Sequence, residues 1–298
     1  MSILAMGAHL LAERFVRSGV PRCSEERAVM DDPAQNLAYQ QAGEGGGILA
    51  PVHLYHAIHI ASIAPPGARF LDLACGPGSQ LLAILRLRPD LRCTALDASP
   101  EMLARARSTF AAAGIDPPVL VQGDMTNLGG LADAGFEAAA CTMSFHHLPD
   151  HFALESAMKA LRRVLAADGA AYLADFGRMR RAATQEYFSR DRESEQGPGF
   201  TRDFRASLAA AFRYEELAQA FALLGPRLRV HKTGFAPFLV VGRTRDEAPG
   251  DPRLAQGIRR ALANLRPVQR EDFRILVRWF RIGGLALPDV AADADRDP

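Results

Sequence analysis

The chain has 298 residues, of which 48% are hydrophobic and 23% charged, and its 35 basic residues are set against 34 acidic ones. This composition is typical of a globular protein with one or two domains. Because the formal net charge is only +1, the chain has no strong field of one sign, which disfavours nucleic acid or an anionic membrane as its partner. The four cysteines form no CxxC pair, and no segment has the pattern of a secretion leader or a membrane span. A cytoplasmic location is therefore expected.

The first residues, 1–64, are predicted to form an N-terminal helical lid. Strand and helix patterns then alternate through the main domain, which is expected to cover 65–245. Short apolar runs predict buried strands at 68–74, 92–96, 119–122, 137–143 and 169–174. Helical spacing predicts helices at 79–88, 100–113 and 151–166, the second of them capped by Ser99 and opened by Pro100.

Strand and helix alternation of this kind predicts a parallel sheet with helices on both faces. A mostly helical insertion at 178–225 is expected to cap the substrate, and the hairpin after it should make the last strand antiparallel. The predicted fold class is α/β: a seven-stranded, mostly parallel, doubly wound sheet with an antiparallel last strand. The N-terminal lid and C-terminal helices are added to this sheet.

The tail at 246–298 is predicted to be helical. Four of its apolar residues recur at i, i+3, i+4 and i+7, namely Phe273, Leu276, Val277 and Phe280. A stripe of this kind is expected to pack on the core or on a second subunit, so a homodimer is one expectation.

The segment from Phe70 to Gln80 reads Phe-Leu-Asp-Leu-Ala-Cys-Gly-Pro-Gly-Ser-Gln. A strand that ends in Gly-x-Gly before a helix lets a ligand approach the backbone closely and reach unpaired helix N–H groups. A dinucleotide-binding loop would also need Gly or Ala at the position of Leu81, so the fingerprint for NAD is incomplete. An NAD-dependent oxidoreductase is therefore the weakest of the readings kept open.

Asp72, four residues before Gly76, makes this loop resemble the acidic glycine-rich loop of class I S-adenosylmethionine (SAM)-dependent methyltransferases. Ala74 departs from the resemblance, because it stands where that family usually has its first glycine. The resemblance extends over about 70–243 and implies SAM as the cofactor.

Further positions match the family residue by residue. Asp97 closes the second strand, where the family has an acid that accepts the ribose hydroxyls, and Asp124 with Met125 matches the adenine site. Asp124 could instead cap a turn at Thr126. Tyr39, in the lid, is the candidate for covering the cofactor. The cofactor-binding residues implied are Tyr39, Asp72, Ala74, Gly76, Gly78, Asp97, Ala98, Met102, Asp124, Met125 and Ser144.

The fourth strand leads into Ser-Phe-His-His-Leu-Pro-Asp, which resembles the ending found in small-molecule members of the family. His146 and His147 are the candidates for a general base, because an imidazole titrates near neutral pH. The alternative is that one is buried against backbone and the other packs under the next helix. No Pro-Cys or Asn/Asp-Pro-Pro-Tyr/Phe motif stands here, which disfavours methylation of DNA bases.

Two sets of residues are candidates for contacts beyond the cofactor. Arg178 and Arg181 could hold a carboxylate of the acceptor, or could start a solvated helix. His53 is a candidate substrate contact in a series with His56 and His59, for which packing is the plainer reading and no metal is expected.

The function implied is SAM-dependent methyl transfer to an O, N or S atom of a small molecule, and a molecule that bears a carboxylate or resembles an amino acid is one expectation. Two alternatives remain open: methylation of RNA or protein, and a SAM-binding scaffold without turnover. The partners expected are a small-molecule acceptor, with no nucleic acid and no membrane.

Overall fold

A computed structural model describes residues 3–16, 19–24, 33–43, 46–244 and 251–295. Within these ranges the strands are β1 (Arg69–Leu73), β2 (Arg92–Asp97), β3 (Val119–Gln122), β4 (Phe136–Thr142), β5 (Leu165–Phe176), β6 (Leu228–Lys232) and β7 (Leu239–Thr244). The helices are α1 (Ile3–Glu13), α2 (Pro33–Gly43), α3 (Ala50–Ile63), α4 (Ser79–Leu87), α5 (Pro100–Ala112), α6 (His151–Val164), α7 (Ala182–Ser189), α8 (Glu193–Ala210), α9 (Tyr214–Phe221), α10 (Pro252–Ala263) and α11 (Pro267–Ile282).

The seven strands form one sheet in the order β3-β2-β1-β4-β5-β7-β6. The strands β1 to β5 are parallel, whereas β7 lies antiparallel between β5 and β6. The predicted fold class is therefore confirmed, including the antiparallel last strand. Strand order reverses between β1 and β4, so the carboxyl ends of these strands open a crevice of the kind that binds ligands in open α/β sheets.

Helices cover both faces of the sheet because successive strand residues point to opposite sides. Phe70 packs into the core on one face with α3, α4, α5, α10 and α11, whereas Leu71 packs into the other core with α6 and α9. The helix α3 therefore belongs to the layer that supports the sheet. Of the predicted lid at 1–64, the described helices outside this layer are α1 and α2.

Local signals explain most element ends. Ser99 accepts a hydrogen bond from the Met102 amide at the start of α5, which confirms the predicted cap. The helix predicted over 151–166 ends at Val164, because β5 begins at Leu165, where the chain pairs with Phe136. The predicted strand at 169–174 is thus only the centre of a longer one.

The predicted insertion at 178–225 divides in the same way as the lid. The helices α7 and α8 lie over the carboxyl edge of the sheet. The helix α8 is kinked at Gly197, which has a φ of 77° and is followed by Pro198. The helix α9 instead packs in the layer beside α6. In the tail, the stripe on α11 packs on the core as expected, with Phe280 stacked on Tyr55 of α3 at 5.0 Å between ring centroids.

The boundary predicted between 245 and 246 lies outside the described residues. In the ranges that the structure describes, no helix combines the length and the apolar composition needed to cross a bilayer.

Candidate active site

A cavity of about 930 Å³ opens at the carboxyl edge of the sheet. One part is lined by the loops that follow β1, β2, β3 and β4, and the other part by α7, α8, α11 and the start of β7. The cavity is large enough for both a nucleoside-sized cofactor and a second small molecule. Each predicted site residue can be placed relative to it.

Asp72 lies near the end of β1 with its side chain in the cavity wall, although only 2% of the residue is exposed. Its Oδ2 has no hydrogen-bond partner among the described residues. Burial, with a further contribution from Asp97, raises the pKa of Asp72 to about 8. A buried, unpartnered carboxyl group at this position is suited to a cationic group of a ligand.

In the loop after β1, every second residue over three positions adopts a left-handed backbone conformation. Ala74 has φ 53°, Gly76 has φ 54° and Gly78 has φ 80°. Ala74 therefore adopts a conformation that glycine adopts without strain, which explains why the family pattern has glycine there. Ala74 and Gly76 line the cavity, but Gly78 does not. The role of Gly78 is packing, since a Cβ there would lie 3.1 Å from Phe110 of α5.

Asp97 ties the loops after β1 and β2 together. Its carboxylate accepts hydrogen bonds from the Gly76 amide at 2.8 Å and from the Ser99 amide at 2.9 Å. Burial raises the pKa of Asp97 above its usual range, and these amides oppose the shift. The carboxylate lies in the cavity wall, where it can also accept hydrogen bonds from a vicinal diol.

The loop after β3 forms the turn expected at Asp124 and also lines the cavity. Its Oδ1 accepts from the Thr126 amide at 2.8 Å, so it does form the turn. Asp124 and Met125 also line the cavity, as do Ala98 and Met102 from the segment after β2.

Tyr39 of α2 lies above the loop of β1. Its Cε1 lies 4.0 Å from the position that a Cβ on Gly76 would take, and its ring stacks on Phe200 at 6.5 Å. Burial raises the pKa of Tyr39 to about 12, with Asp175 and Asp97 contributing. The ring thus stands between the cofactor part of the cavity and the helical cap.

His146 stands in a short 3-10 turn, Phe145–His147, directly after β4. Its Nδ1 lies 2.7 Å from Oδ1 of Asp175, and its backbone N–H donates to Oδ2 of Asp175 at 2.7 Å. Both residues are at least 97% buried, with 3% exposed for His146 and 1% for Asp175. Each Asp175 oxygen already accepts a backbone N–H, from His146 on Oδ2 and from Phe176 on Oδ1, so this side chain is placed as an acceptor for Nδ1–H, which leaves Nε2 as the basic ring nitrogen. His146, His147 and Ser144 all line the cavity.

Asp175 is a site residue that the sequence interpretation did not assign. A signal for it was available, because Asp175 stands at the end of β5 and His146 follows β4, and neighbouring parallel strands end at the same edge. Asp175 orients His146, and both residues come from strand ends fixed by the sheet.

The second part of the cavity is aromatic. Six rings from β5, the residue before β7 and the helices α7, α8 and α11 line it, and most of them contact one another at centroid distances between 4.6 and 6.5 Å. They are Phe176, Phe188, Phe200, Phe204, Phe238 and Trp279. Met6 of α1 completes this wall. We call this part of the cavity the aromatic chamber.

Neither predicted arginine lines the cavity. Arg178 is buried with its guanidinium 3.6 Å from Glu216 of α9, and the Arg181 amide donates to Glu13 of α1. The reason is the course of the chain after β5, where Gly177 bridges to Phe212 and the Arg178 amide donates to Phe212 O, which brings the Arg178 side chain to Glu216. The expectation that these two side chains face the acceptor is corrected accordingly.

The histidines of α3 divide between two sites. His53 lines the cavity, and burial lowers its pKa to about 4. His56 and His59 face the sheet, where His56 Nδ1 lies 2.7 Å from the Tyr172 hydroxyl. Within the described ranges, no three His, Cys, Asp or Glu side chains gather to hold a metal.

These residues fit SAM. The unpartnered Oδ2 of Asp72 is suited to the ammonium of the methionine part, Asp97 to the ribose and Met125 to the adenine face. Together, the sheet order, the left-handed loop after β1 and this row of acidic residues at strand ends correspond to the class I methyltransferase fold.

Comparison with known proteins agrees with this class. Residues 70–169 match the family model described as methyltransferase domain. The chain is 28% identical over 139 residues to a ubiquinone biosynthesis O-methyltransferase of Xanthomonas campestris pv. campestris, an alignment that covers 45% of this chain and 56% of that protein. A second relative with the same description, from Xylella fastidiosa, is 34% identical over 109 residues, covering 37% and 42% of the two chains. The chain thus spans about half the length of the curated relatives it matches.

Solved structures show the same fold. A SAM-dependent methyltransferase from Aquifex aeolicus superposes with a TM-score of 0.50 at 15% identity, over 72% of this chain and 98% of that one. The plantazolicin methyltransferase BpumL in complex with SAH superposes with a TM-score of 0.51 at 13% identity, over 80% and 88% of the two chains. Residues 70–169 are thus similar to a methyltransferase domain, and the chain has the fold of these SAM-dependent methyltransferase structures.

Proposed function

We propose that this protein transfers the methyl group of SAM to a hydroxyl group of a small aromatic molecule. The single observation that carries the proposal is the buried His146 and Asp175 pair, in which His146 lines the cavity and its ring lies 5.4 Å from that of Phe176 in the aromatic chamber. The curated relatives named above support the choice of oxygen, because they are described as O-methyltransferases.

A positioned base favours a hydroxyl acceptor over a thioether, since a hydroxyl carries a proton that must leave as the new bond forms. His146 is the base: its Nε2 takes the proton of the hydroxyl, and Asp175 stabilises the resulting imidazolium through Nδ1. The acceptor oxygen forms a bond to the methyl carbon as the carbon–sulfur bond breaks. When bound, SAM supplies this methyl group in electrophilic form on its sulfonium.

The chamber selects the acceptor by shape and by exclusion of water. Its six rings offer edges and faces to a planar aromatic molecule, for which offset and edge-to-face contacts are favourable. Closure by α7 and α8 holds the acceptor oxygen behind the methyl group, and such positioning provides much of the rate acceleration.

Charge around the cavity disfavours an acceptor with a carboxylate. Among the described cavity-lining residues, Arg192 is the only arginine or lysine, and it is already paired with Asp272 at 2.7 Å. Asp191, Asp203 and Glu271 add negative charge nearby. We therefore propose a neutral or cationic aromatic acceptor in place of the carboxylate-bearing one predicted from Arg178 and Arg181.

The test uses two matched probes, tert-butylcatechol and tert-butylthiophenol, with labelled SAM. The wild-type protein should methylate both, because both fit the chamber. His146→Ala should lose roughly 100-fold or more of its turnover on the catechol. The same variant should keep most of its turnover on the thiol, which ionises without help. Equal turnover of the catechol by His146→Ala and wild type would exclude the base, and label entering protein or RNA instead would favour a macromolecular acceptor.

A further inference from the structure

We propose that Arg22 is a positioning residue that holds His146 in place for catalysis. This inference rests on the proposed function, in which His146 is the general base. Arg22 belongs to the segment 19–24, which follows α1 and runs across the outside of the active site.

The guanidinium of Arg22 donates to backbone carbonyl oxygens on two segments. On the loop that carries the base, it donates to His146 O at 3.0 Å, Leu148 O at 2.5 Å and Pro149 O at 2.5 Å. Its Nε donates to Ala210 O at 2.6 Å, at the end of α8. One side chain therefore joins the loop of the base to the helical cap.

The flat face of the guanidinium also makes a contact. Arg22 lies over the ring of Phe212, 4.0 Å from its centroid. Phe212 in turn bridges to Gly177, two residues after Asp175, and the Cys23 amide donates to Ala209 O beside the same junction. Arg22 is thus stacked against the segment that also fixes Asp175.

This arrangement supplies what the turn of His146 lacks. A single 3-10 turn leaves its last carbonyl groups without partners in the turn, so its position depends on outside donors. Asp175 binds the N–H and Nδ1 of His146 from inside, and Arg22 binds its carbonyl from outside. A planar guanidinium can serve several carbonyls at once, whereas a lysine ammonium of the same charge cannot reproduce that geometry.

The helix α1, which precedes this segment, also forms part of the wall of the aromatic chamber. Met6 of α1 lines the cavity, and Glu13 at the end of α1 accepts hydrogen bonds from the Arg180 and Arg181 amides at 2.7 and 3.0 Å. Docking of 3–16 and 19–24 therefore closes one wall of the chamber and, through Arg22, sets the position of the base. Acceptor enclosure and base positioning are coupled by one residue.

The decisive experiment is a double-mutant cycle between Arg22 and His146 on tert-butylcatechol. Arg22→Ala should lower kcat roughly 10- to 100-fold, because small displacements of a catalytic group cost that much. The affinity for S-adenosylhomocysteine (SAH) should stay within about threefold, since Arg22 contacts none of the cofactor residues. In the His146→Ala background, Arg22→Ala should cost nothing further. Arg22→Lys should recover little of the loss.

The matched control is Arg180→Ala. It removes a guanidinium that holds the chain just after α1, through Val16 O, but does not contact the loop of His146. It should leave kcat within about twofold of wild type. Hydrogen exchange of a peptide covering 145–149 gives a readout without any acceptor, and Arg22→Ala should speed exchange there at least tenfold while Arg180→Ala does not.

The outcomes separate this inference from the proposed function. A large loss in His146→Ala together with wild-type kcat in Arg22→Ala overturns the positioning role and leaves the base intact. An additive loss in the double variant also overturns it, because Arg22 would then act independently of His146. Wild-type turnover in His146→Ala overturns the proposed base, and the role of Arg22 with it.

Discussion

Asp175 receives the backbone N–H and the ring Nδ1 of His146 on its two carboxylate oxygens, each at 2.7 Å. The amide of Phe176 donates to the same carboxylate at 2.7 Å. Three N–H donors thus converge on one buried carboxylate. The position and the tautomer of His146 therefore depend on the two acceptor oxygens of Asp175.

Asp175→Asn tests this dependence. An asparagine amide has one acceptor oxygen, so in either orientation its NH₂ group faces an N–H donor that the carboxylate now satisfies. We expect kcat on a phenol to fall roughly 10²- to 10⁴-fold, because the base loses its tautomer or its position. Steady-state kinetics with tert-butylcatechol measures the loss, and SAH affinity should remain within about threefold. A kcat within twofold of wild type would show that Asp175 does not orient the base.

Asp72→Asn separates cofactor binding from stability. Burial raises the pKa of Asp72 to about 8, above the usual value for an unfolded chain near 3.9. Between these values the folded state binds one more proton than the unfolded state. The contribution of Asp72 to the free energy of unfolding is therefore fully present below about pH 4 and is lost as pH rises through 8. Removing the titrating group should therefore raise the melting temperature of the ligand-free protein at pH 7 to 8.

The same variant should weaken SAH binding by roughly 10- to 100-fold, because the ligand ammonium loses a charged partner. In the wild-type protein, binding at pH 7 should release close to one proton, since Asp72 must ionise to meet that ammonium. Calorimetry in two buffers of different ionisation enthalpy measures the proton count. Unchanged proton release in Asp72→Asn would assign the proton to another group.

The sequence predicts the cofactor part of this site better than the acceptor part. Asp72 lies near the end of β1, Asp97 ends β2 and Asp124 comes shortly after β3, so the parallel sheet places them at one edge. Arg178 also follows a strand, yet its segment turns toward Phe212, and its guanidinium lies beside Glu216 and outside the cavity lining. That turn depends on tertiary packing of a helical segment, which local patterns do not encode.

Arg22 lies beyond any local prediction. Its partners at His146 to Pro149 are more than 120 residues away along the chain, and its own segment has neither helical nor strand periodicity. The pair of His146 and Asp175 is an intermediate case, because the order of strands β4 and β5 would have brought these residues together once adjacency was assumed.

Phe204→Ala tests the aromatic chamber. Phe204 of α8 lies 5.4 Å from the ring of Phe176 and 6.2 Å from that of Phe200, centroid to centroid, and lines the cavity. Loss of the ring should raise the KM for tert-butylcatechol roughly tenfold. A change of this size is expected when the bound acceptor buries about 50 Å² less apolar surface. The kcat and the SAH affinity should change little.

The matched control for this prediction is Phe152→Ala on α6, where the ring is 77% exposed and lies outside the cavity. It should leave the KM unchanged. A KM in Phe204→Ala equal to that of the control would place the acceptor elsewhere in the cavity.

The histidines of α3 predict loss of stability in mild acid. Burial lowers the pKa of His53 to about 4 and of His56 to about 3, and it lowers the pKa of His59 well below 6.5. His53 and His56 are therefore neutral in the folded state at pH 5, and His59 takes up its proton only well below pH 6.5, whereas the unfolded chain protonates all three below 6.5. Their contribution is present above pH 6.5 and is lost as pH falls toward 4, by up to about 1.4 kcal/mol per pH unit for each histidine.

His59→Phe isolates one of these protons, because neither ring nitrogen of His59 has a hydrogen-bond partner among the described residues and its ring packs against Tyr55 and Tyr172. The variant and the wild type should have similar unfolding free energies at pH 8, where neither chain protonates at this position. Between pH 6.5 and 5, the slope of unfolding free energy against pH should be smaller in the variant by close to one proton. Urea denaturation at several pH values measures both quantities, and equal slopes would mean that His59 is protonated in the folded state as readily as in the unfolded one.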